Sequence, residues 1–409
     1  MQGKFKGWIK GKPFGFITPV DGSQDVFLHH NTVGDPTRVV DGTVLQFEVV
    51  DTPRGPHANK IEILSVGESS SEGTGSVILA GTEGEVIFWS DLGYGFIQGT
   101  EFKDDVFAHY SSLALCEDGY LNEGDIVRFD AVEGPKGIEA KNVEAVGWRS
   151  AGSALNRFAD MGNPRWFFRL KGMAEEEDWY YRHSKSPHQF PVLRSYIHFT
   201  FQRLQEMKGG LAITNDEQHA TFNTGLVTTN QEEIYGVFFK NPTVGRQPWK
   251  LRAFLKASDR DFLNHFGANP PPLAEYFQDP HELLFDRRLP LYVSIDHVLR
   301  HIERFPEGLR DNLYLSRQLL VSAEVQTKKR VYRNYKTAIP QYFREGGGVG
   351  TLQLLLPICL QNPSRADLAL TVERTEQGDA YRGSTVLTLD MAYNNARLLA
   401  RPDTEWLQP

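Results

Sequence analysis

Phe14-Gly15-Phe16-Ile17 occurs a second time in this chain, as Tyr94-Gly95-Phe96-Ile97. Asp25-Val26-Phe27-Leu28-His29 likewise returns as Asp105-Val106-Phe107-Ala108-His109, and both offsets are 80 residues. A third block, Gly55-Pro56-His57-Ala58, is matched by Gly137-Ile138-Glu139-Ala140 at an offset of 82, so the second copy carries a longer late loop. Matched blocks in one order indicate two copies of one domain. The copies are expected at residues 1–66 and 76–148. Between them, residues 67–75 (Gly67-Glu68-Ser69-Ser70-Ser71-Glu72-Gly73-Thr74-Gly75) have the composition of a flexible linker.

Each copy reads as strands. Apolar residues alternate at period two around Phe14, Phe16, Val26 and Leu28, Asp21-Gly22 is a turn signal, and Thr43–Val50 and Ile126–Val132 read as later strands. Several short strands in some 70 residues suggest a small β-barrel. In Val26-Phe27-Leu28-His29, alternation sends Val26 and Leu28 to the core and Phe27 and His29 to solvent. Beside Phe14 and Phe16, these rings form a platform of the kind on which bases stack, for ~1–3 kcal/mol each and with little sequence preference. Gly15 and Gly95, set between aromatics, are expected to let the neighbouring rings lie open.

On these motifs both copies resemble bacterial cold-shock domains. The resemblance implies a five-stranded OB-type barrel that binds single-stranded RNA or DNA. The first copy has Lys12-Pro13-Phe14-Gly15-Phe16-Ile17 and Asp25-Val26-Phe27-Leu28-His29 at the two ribonucleoprotein motifs, and keeps Gly3, Lys6 and Trp8. It departs from the family at Pro13, a usual glycine, and at Gly7, a usual tryptophan. The second copy has Phe88-Trp89, Tyr94, Phe96, Phe107, His109 and Tyr110. The implied binding residues are Lys6, Trp8, Lys10, Lys12, Phe14, Phe16, Phe27 and His29, then Phe88, Tyr94, Phe96, Phe107 and His109.

The remaining residues contain a connecting segment, 149–190, and a region, 191–409, whose strands and helices mix without a βαβ rhythm, which predicts α+β. The segment is rich in aromatics and charge of both signs, and is expected to pack on the region C-terminal to it. Arg194–Met207, Ser258–Phe266 (capped by Ser258), Ile295–Arg304, Gly308–Glu324 and Met391–Ala400 read as helices. Ala220–Val227, Gly350–Leu360, Ala366–Arg374 and Ser384–Leu389 read as strands, and Glu233–Phe239 as strand or short helix. Phe222-Asn223-Thr224-Gly225-Leu226, Asn334-Tyr335-Lys336, Leu354-Leu355-Leu356-Pro357 and Leu387-Thr388-Leu389-Asp390-Met391-Ala392-Tyr393-Asn394-Asn395-Ala396-Arg397 resemble an uncharacterised bacterial domain of unknown function found beside RNA-binding modules. That resemblance implies work on RNA and carries no site residues.

Lys328-Lys329-Arg330-Val331-Tyr332-Arg333-Asn334-Tyr335-Lys336 holds five positive charges and two tyrosines, the pattern of phosphate binding or of a solvated basic helix end. Asp390, Asn394, Asn395 and Arg397, with Asn223, could form an amide-lined pocket in which arginine binds phosphate; the plainer reading is Asp390 capping a helix. The possible phosphate or nucleotide site thus comprises Asn223, Arg330, Arg333, Asn334, Lys336, Asp390, Asn394, Asn395 and Arg397. His297 and His301 lack the His-Glu-x-x-His pattern, Gly346-Gly347-Gly348 lacks a P-loop ending, and no catalytic triad spacing stands out. No cofactor and no metal are predicted.

Charge and composition set the outer limits. The chain has 44 Lys plus Arg against 52 Asp plus Glu, a net charge of −8. The first copy has seven basic and seven acidic residues, and the second four and fourteen. Phosphate attraction scales with Lys and Arg, so the first copy is expected to be the main binder. Two cysteines exclude a disulfide scaffold, no apolar run approaches a membrane span, and no signal peptide is visible. The expectation is a cytoplasmic protein with no membrane partner. Three readings of function stay open: a single-stranded nucleic-acid binder, RNA above all, that presents the strand to its C-terminal domain; an RNA-end- or nucleotide-processing enzyme with the barrels as adaptors; and an RNA-binding adaptor whose C-terminal domain binds protein.

Overall fold

The computed structural model describes the chain except residues 9–13, 23–24, 30–31, 34–38, 40–41, 53–54, 66–76, 91–92, 114–119, 135–136, 149–152, 163–164, 187, 244–245, 268, 345–349, 403–405 and 408–409. The linker, Lys10, Lys12 and the triple glycine therefore lie outside the described residues, as do the side chains of Trp8, Phe14 and His29. The chain divides into two compact units, one of Met1–Trp89, Gly93–Leu121 and Asp125–Val146, the other of Ser90–Leu92, Asn122–Gly124 and Gly147–Pro409. Among the described residues, no helix is long and apolar enough to cross a membrane.

The first unit holds two closed barrels. In the first, β1 (Gln2–Trp8), β2 (Phe14–Pro19), β3 (Val26–His29), β4 (Val44–Thr52) and β5 (Gly55–Ser65) close in the order β1-β2-β3-β5-β4. In the second, β6 (Val77–Trp89), β7 (Tyr94–Gly99), β8 (Val106–His109), β9 (Asp125–Gly134) and β10 (Gly137–Trp148) close in the order β10-β8-β7-β6-β9. Alternation fills each interior: Phe5, Ile17, Val26, Leu28, Leu45 and Phe47 in one, and Val86, Trp89, Ile97, Val106, Ala108 and Phe129 in the other.

The glycines of the repeated motif serve these interiors, not the rings. Gly15 pairs with inward-facing Leu28, and Gly95 with Ala108. A Cβ on Gly15 would lie 2.4 Å from the Gly7 carbonyl oxygen and 2.7 Å from Phe5 Cζ. One on Gly95 would lie 2.3 Å from the Phe88 carbonyl oxygen and 2.5 Å from Trp89 Cε3. The expected role in opening the aromatic face is corrected accordingly: the missing side chain lets a neighbouring strand approach.

The second unit is a mixed α/β region. Its chain order begins with α1 (Ala154–Phe158), β11 (Ala159–Asp160), α2 (Arg165–Met173) and α3 (Pro191–Glu206). Next come β12 (Leu211–Ile213), β13 (His219–Val227), β14 (Glu233–Lys240), β15 (Trp249–Lys256) and α4 (Arg260–Phe266). The chain then forms β16 (Leu291–Val293), α5 (Ile295–Val298), α6 (Glu307–Arg310) and α7 (Leu313–Arg333). It ends with β17 (Ile339–Phe343), β18 (Thr351–Ile358), β19 (Leu368–Arg374), β20 (Tyr381–Leu387) and α8 (Leu389–Arg397). One sheet has the order β11-β15-β14-β13-β12 and the other β16-β20-β19-β18-β17.

A central core joins the sheets through α1, α2, α3 and α8. The apolar run of β18 is divided by its pleat: Leu355 joins that core, and Leu354, Leu356 and Ile358 join the layer under α7. Pro357 is tolerated because β17 ends its pairing at Leu355, so no ladder donor is lost on that side. The aromatic connecting segment belongs to this unit, with Leu155, Phe167, Leu170 and Trp179 in the central core.

Candidate nucleic-acid interface

In the first barrel, strand pairing sets the backbone of Phe14 opposite that of His29, and Phe16 opposite Phe27 on the outer face. The Phe16 and Phe27 rings meet edge to face at 6.0 Å. Phe27 also packs on His57 of β5, with centroids 4.4 Å apart. His57 was not among the predicted residues. The only signal for it was its place in the third repeated block, where the second copy has Glu139.

Among the described residues, the second barrel presents the fuller aromatic face. Phe88 lies 6.3 Å from Tyr94 and 6.2 Å from Phe96. Tyr94 stacks on Phe107 at 6.3 Å, and Phe96 meets Phe107 at 5.9 Å. His109, opposite Tyr94 in register, packs on Tyr110 at 4.3 Å. Burial, then Lys141, holds the His109 pKa below the ordinary histidine value, partly offset by Glu139. The shift favours the neutral imidazole.

Register explains the difference between the faces. Both first strands slip near their ends, between Phe5 and Trp8 and between Val86 and Phe88, so that Trp8 pairs with Gly15 and Trp89 with Gly95. Gly7 thus occupies the place of Phe88. At φ 111° it adopts a backbone conformation open to glycine, and it supplies no ring. Trp89 is 2% exposed and is a core residue, so Phe88 alone of that pair faces outward.

The described cations of the barrels are largely paired. Lys6 Nζ lies 2.7 Å from Asp25, whose carboxyl is held below its usual pKa by Lys6 and by the Thr18 hydroxyl. Lys60 pairs with Glu48, Arg128 with Glu83 and Lys141 with Glu139. Any anion approaching Lys6 would compete with Asp25.

In the second unit the predicted residues occupy three separate places. Arg397 is clamped by Glu177 through Nε and Nη2 at 2.7 and 2.9 Å, and lies 4.5 Å from the Tyr196 ring centroid. These two side chains are 12% and 5% exposed, so Arg397 serves a buried ion pair and offers no phosphate contact. Asp390 does not cap α8; Thr388 does, accepting from the Met391 amide. Asp390 instead accepts from the amides of Arg182 and His183 and from the Ser184 hydroxyl.

Asn394 donates to Tyr181, and Asn395 to Gln341. Asn223, on the other sheet, accepts from the Gly225 amide and faces Glu233 and Tyr235. At the end of α7, Arg330 donates to the Pro363 carbonyl and Asn334 caps the turn that contains Lys336. Arg333 and Tyr335 line a cleft with residues 284–288.

These barrels define the class: two cold-shock-type modules with outward aromatic faces. Residues 1–64 and 83–146 match the 'Cold-shock' DNA-binding domain. The chain is 40% identical over 60 residues to cold shock-like protein CspC of Shigella flexneri, covering 14% of this chain and 87% of that one. It is 47% identical over 58 residues to cold shock protein CspA of Staphylococcus aureus, covering 14% and 83%. By its larger part, residues 170–406, the chain belongs to the family described as domain of unknown function DUF3825. Among solved structures it is similar to Drosophila Unr CSD456, at 14% identity and a TM-score of 0.18, covering 62% of this chain and 95% of that one. Mycoplasma genitalium RNase R in complex with single-stranded RNA matches at 12% identity and a TM-score of 0.17, covering 59% and 34%.

Proposed function

We propose that this protein binds single-stranded nucleic acid, RNA above all, by stacking bases on the outer faces of both barrels, and that it presents the strand to its C-terminal domain. The observation that carries this reading is the sidedness of β2, β3, β7 and β8. Their alternate residues already complete the barrel interiors, yet Phe16, Phe27, Tyr94, Phe96 and Phe107 gather on the opposite face. Rings left partly exposed by a finished core are available to bases. The kinship with cold-shock proteins supports the same reading.

The test is fluorescence anisotropy with labelled oligo-U RNA and its DNA counterpart. Replacing Phe16 and Phe27 with alanine is expected to weaken binding by ~1–3 kcal/mol per ring lost. Unchanged affinity in that variant and in the matching Phe96 and Phe107 variant would refute stacking. Equal affinity for the DNA strand would remove the preference for RNA.

A further inference from the structure

Beside the C-terminal end of α7, a cleft of about 530 Å³ opens between residues 284–288 and the turn at 332–335. Its volume lies within the range of small-molecule sites. The walls are fixed. Phe285 is buried, stacked on Tyr381 at 4.6 Å and edge-on to Tyr332 at 5.7 Å. The Tyr332 hydroxyl donates to the Leu289 carbonyl at 2.8 Å, and the Asp286 amide to the Tyr381 hydroxyl at 2.9 Å.

Three arginines line this cleft. Arg288 grips Asp286 through Nε and Nη2, at 2.9 and 2.7 Å for the shorter pair of contacts. Arg287 and Arg333 have no ion pair or side-chain hydrogen bond among the described residues. Three guanidinium groups against one carboxylate leave a charge of +2 in the lining. The opposing field of the helix end, about half a charge, is too small to cancel it. Tyr335 adds a ring that is 48% exposed and makes no ring–ring or cation–π contact among the described residues.

We infer that this cleft binds a phosphorylated nucleoside: the unpaired arginines take the phosphate, bidentately where geometry permits, and Tyr335 stacks on the base. The charge of +2 matches a phosphate monoester, which carries about −1.5 to −2 at neutral pH. Free mononucleotides and phosphorylated strand ends carry that group, whereas internal linkages carry a single charge. The inference is independent of the barrels.

Equilibrium dialysis of the full chain with labelled AMP tests it, with adenosine and inorganic phosphate as competitors. The expected result is saturable AMP binding, at least tenfold preference over adenosine and over phosphate alone, and at least tenfold loss in Arg287→Ala/Arg333→Ala. Tyr335→Ala should weaken binding severalfold and Tyr335→Phe should retain it. Phe16→Ala/Phe27→Ala should leave AMP binding unchanged, which separates this site from the barrels.

A second arm distinguishes the ligand's source. In the chain carrying the barrel substitutions, tighter binding of a 5′- or 3′-phosphorylated oligonucleotide than of its hydroxyl-ended form, with AMP weak, identifies a strand end. The reverse identifies the free nucleotide. No AMP binding up to about 5 mM together with no preference for phosphorylated ends overturns the inference. So does binding that survives the double arginine variant, or that adenosine or phosphate matches.

Discussion

Arg397 and Glu177 show what a single residue contributes to the second unit. Their ion pair is bidentate, nearly dry, and sandwiched against Tyr196 and Trp179. Burial alone would depress the arginine pKa, yet the Glu177 hydrogen bonds and charge raise it overall. Removing one partner of such a pair strands the other charge, at a cost of about 3–5 kcal/mol. Arg397→Ala is therefore expected to lower the denaturation midpoint sharply, while Arg317→Ala, at an exposed ion pair with Asp296, changes stability by well under 1 kcal/mol. Urea unfolding of both variants checks the contrast.

His198 gives the same unit a pH response. Burial, with Arg194 and His188 adding repulsion, pushes its pKa down to about 3, and Nδ1 lies 2.7 Å from the Ser153 hydroxyl. The unfolded chain takes up this proton near pH 6.5, so between about 6.5 and about 3 the unfolded state binds more protons. Stability is fully present above that window. It falls with decreasing pH by at most about 1.4 kcal/mol per pH unit. His198→Gln should flatten that part of the stability profile, and an identical slope in the variant would remove the assignment.

At the scale of elements, Gly95 limits the second barrel. A methyl there would meet the Phe88 carbonyl and the Trp89 ring, both fixed by the β6–β7 pairing. Overpacking of this kind costs about 1–3 kcal/mol, so Gly95→Ala is expected to destabilise the barrel by that amount while Gln98→Ala, on the exposed face, does not. Thermal unfolding followed by tryptophan fluorescence would show it.

The barrels were legible because strand alternation and repetition are local signals, and because the same blocks occur twice. Helices α3, α4 and α8 and strands β13, β18, β19 and β20 were likewise readable from periodicity, whereas β14 was open between strand and short helix. Strand β15 was not, since its burial alternates irregularly around a register shift at Val237 and Phe238. The short strands β11, β12 and β16 are held by their partners and carry no pattern of their own. The candidate site was legible only in part. The outward placement of Phe27 and Phe16 followed from alternation, but His57 reaches Phe27 through a parallel pairing across 30 residues. Arg397 looked like a phosphate ligand because its partner, Glu177, lies far off in sequence within a run of acidic residues.

At the scale of the whole molecule, attraction to phosphate and stacking are distributed unequally. The first barrel is neutral overall and lacks the ring that Phe88 gives the second. The second has five predicted rings on its face and an excess of ten negative charges over residues 76–148. Stacking at ~1–3 kcal/mol per base depends little on salt, whereas each neutralised phosphate contributes a salt slope of about −0.7 for a single strand. If the first barrel meets two or three phosphates, its affinity should drop about seven- to twenty-fold between 50 and 200 mM salt. Binding through the second should stay level or strengthen, because salt screens the repulsion between its carboxylates and the strand. Titrating the full chain with oligo-U at both salts, with Phe16→Ala/Phe27→Ala and with Phe96→Ala/Phe107→Ala, separates the two. The chain that retains only the second face should show the shallower slope and the weaker affinity at low salt. A steeper slope in that variant would mean that phosphate contacts reside on the acidic barrel, and would reverse the order of the two modules.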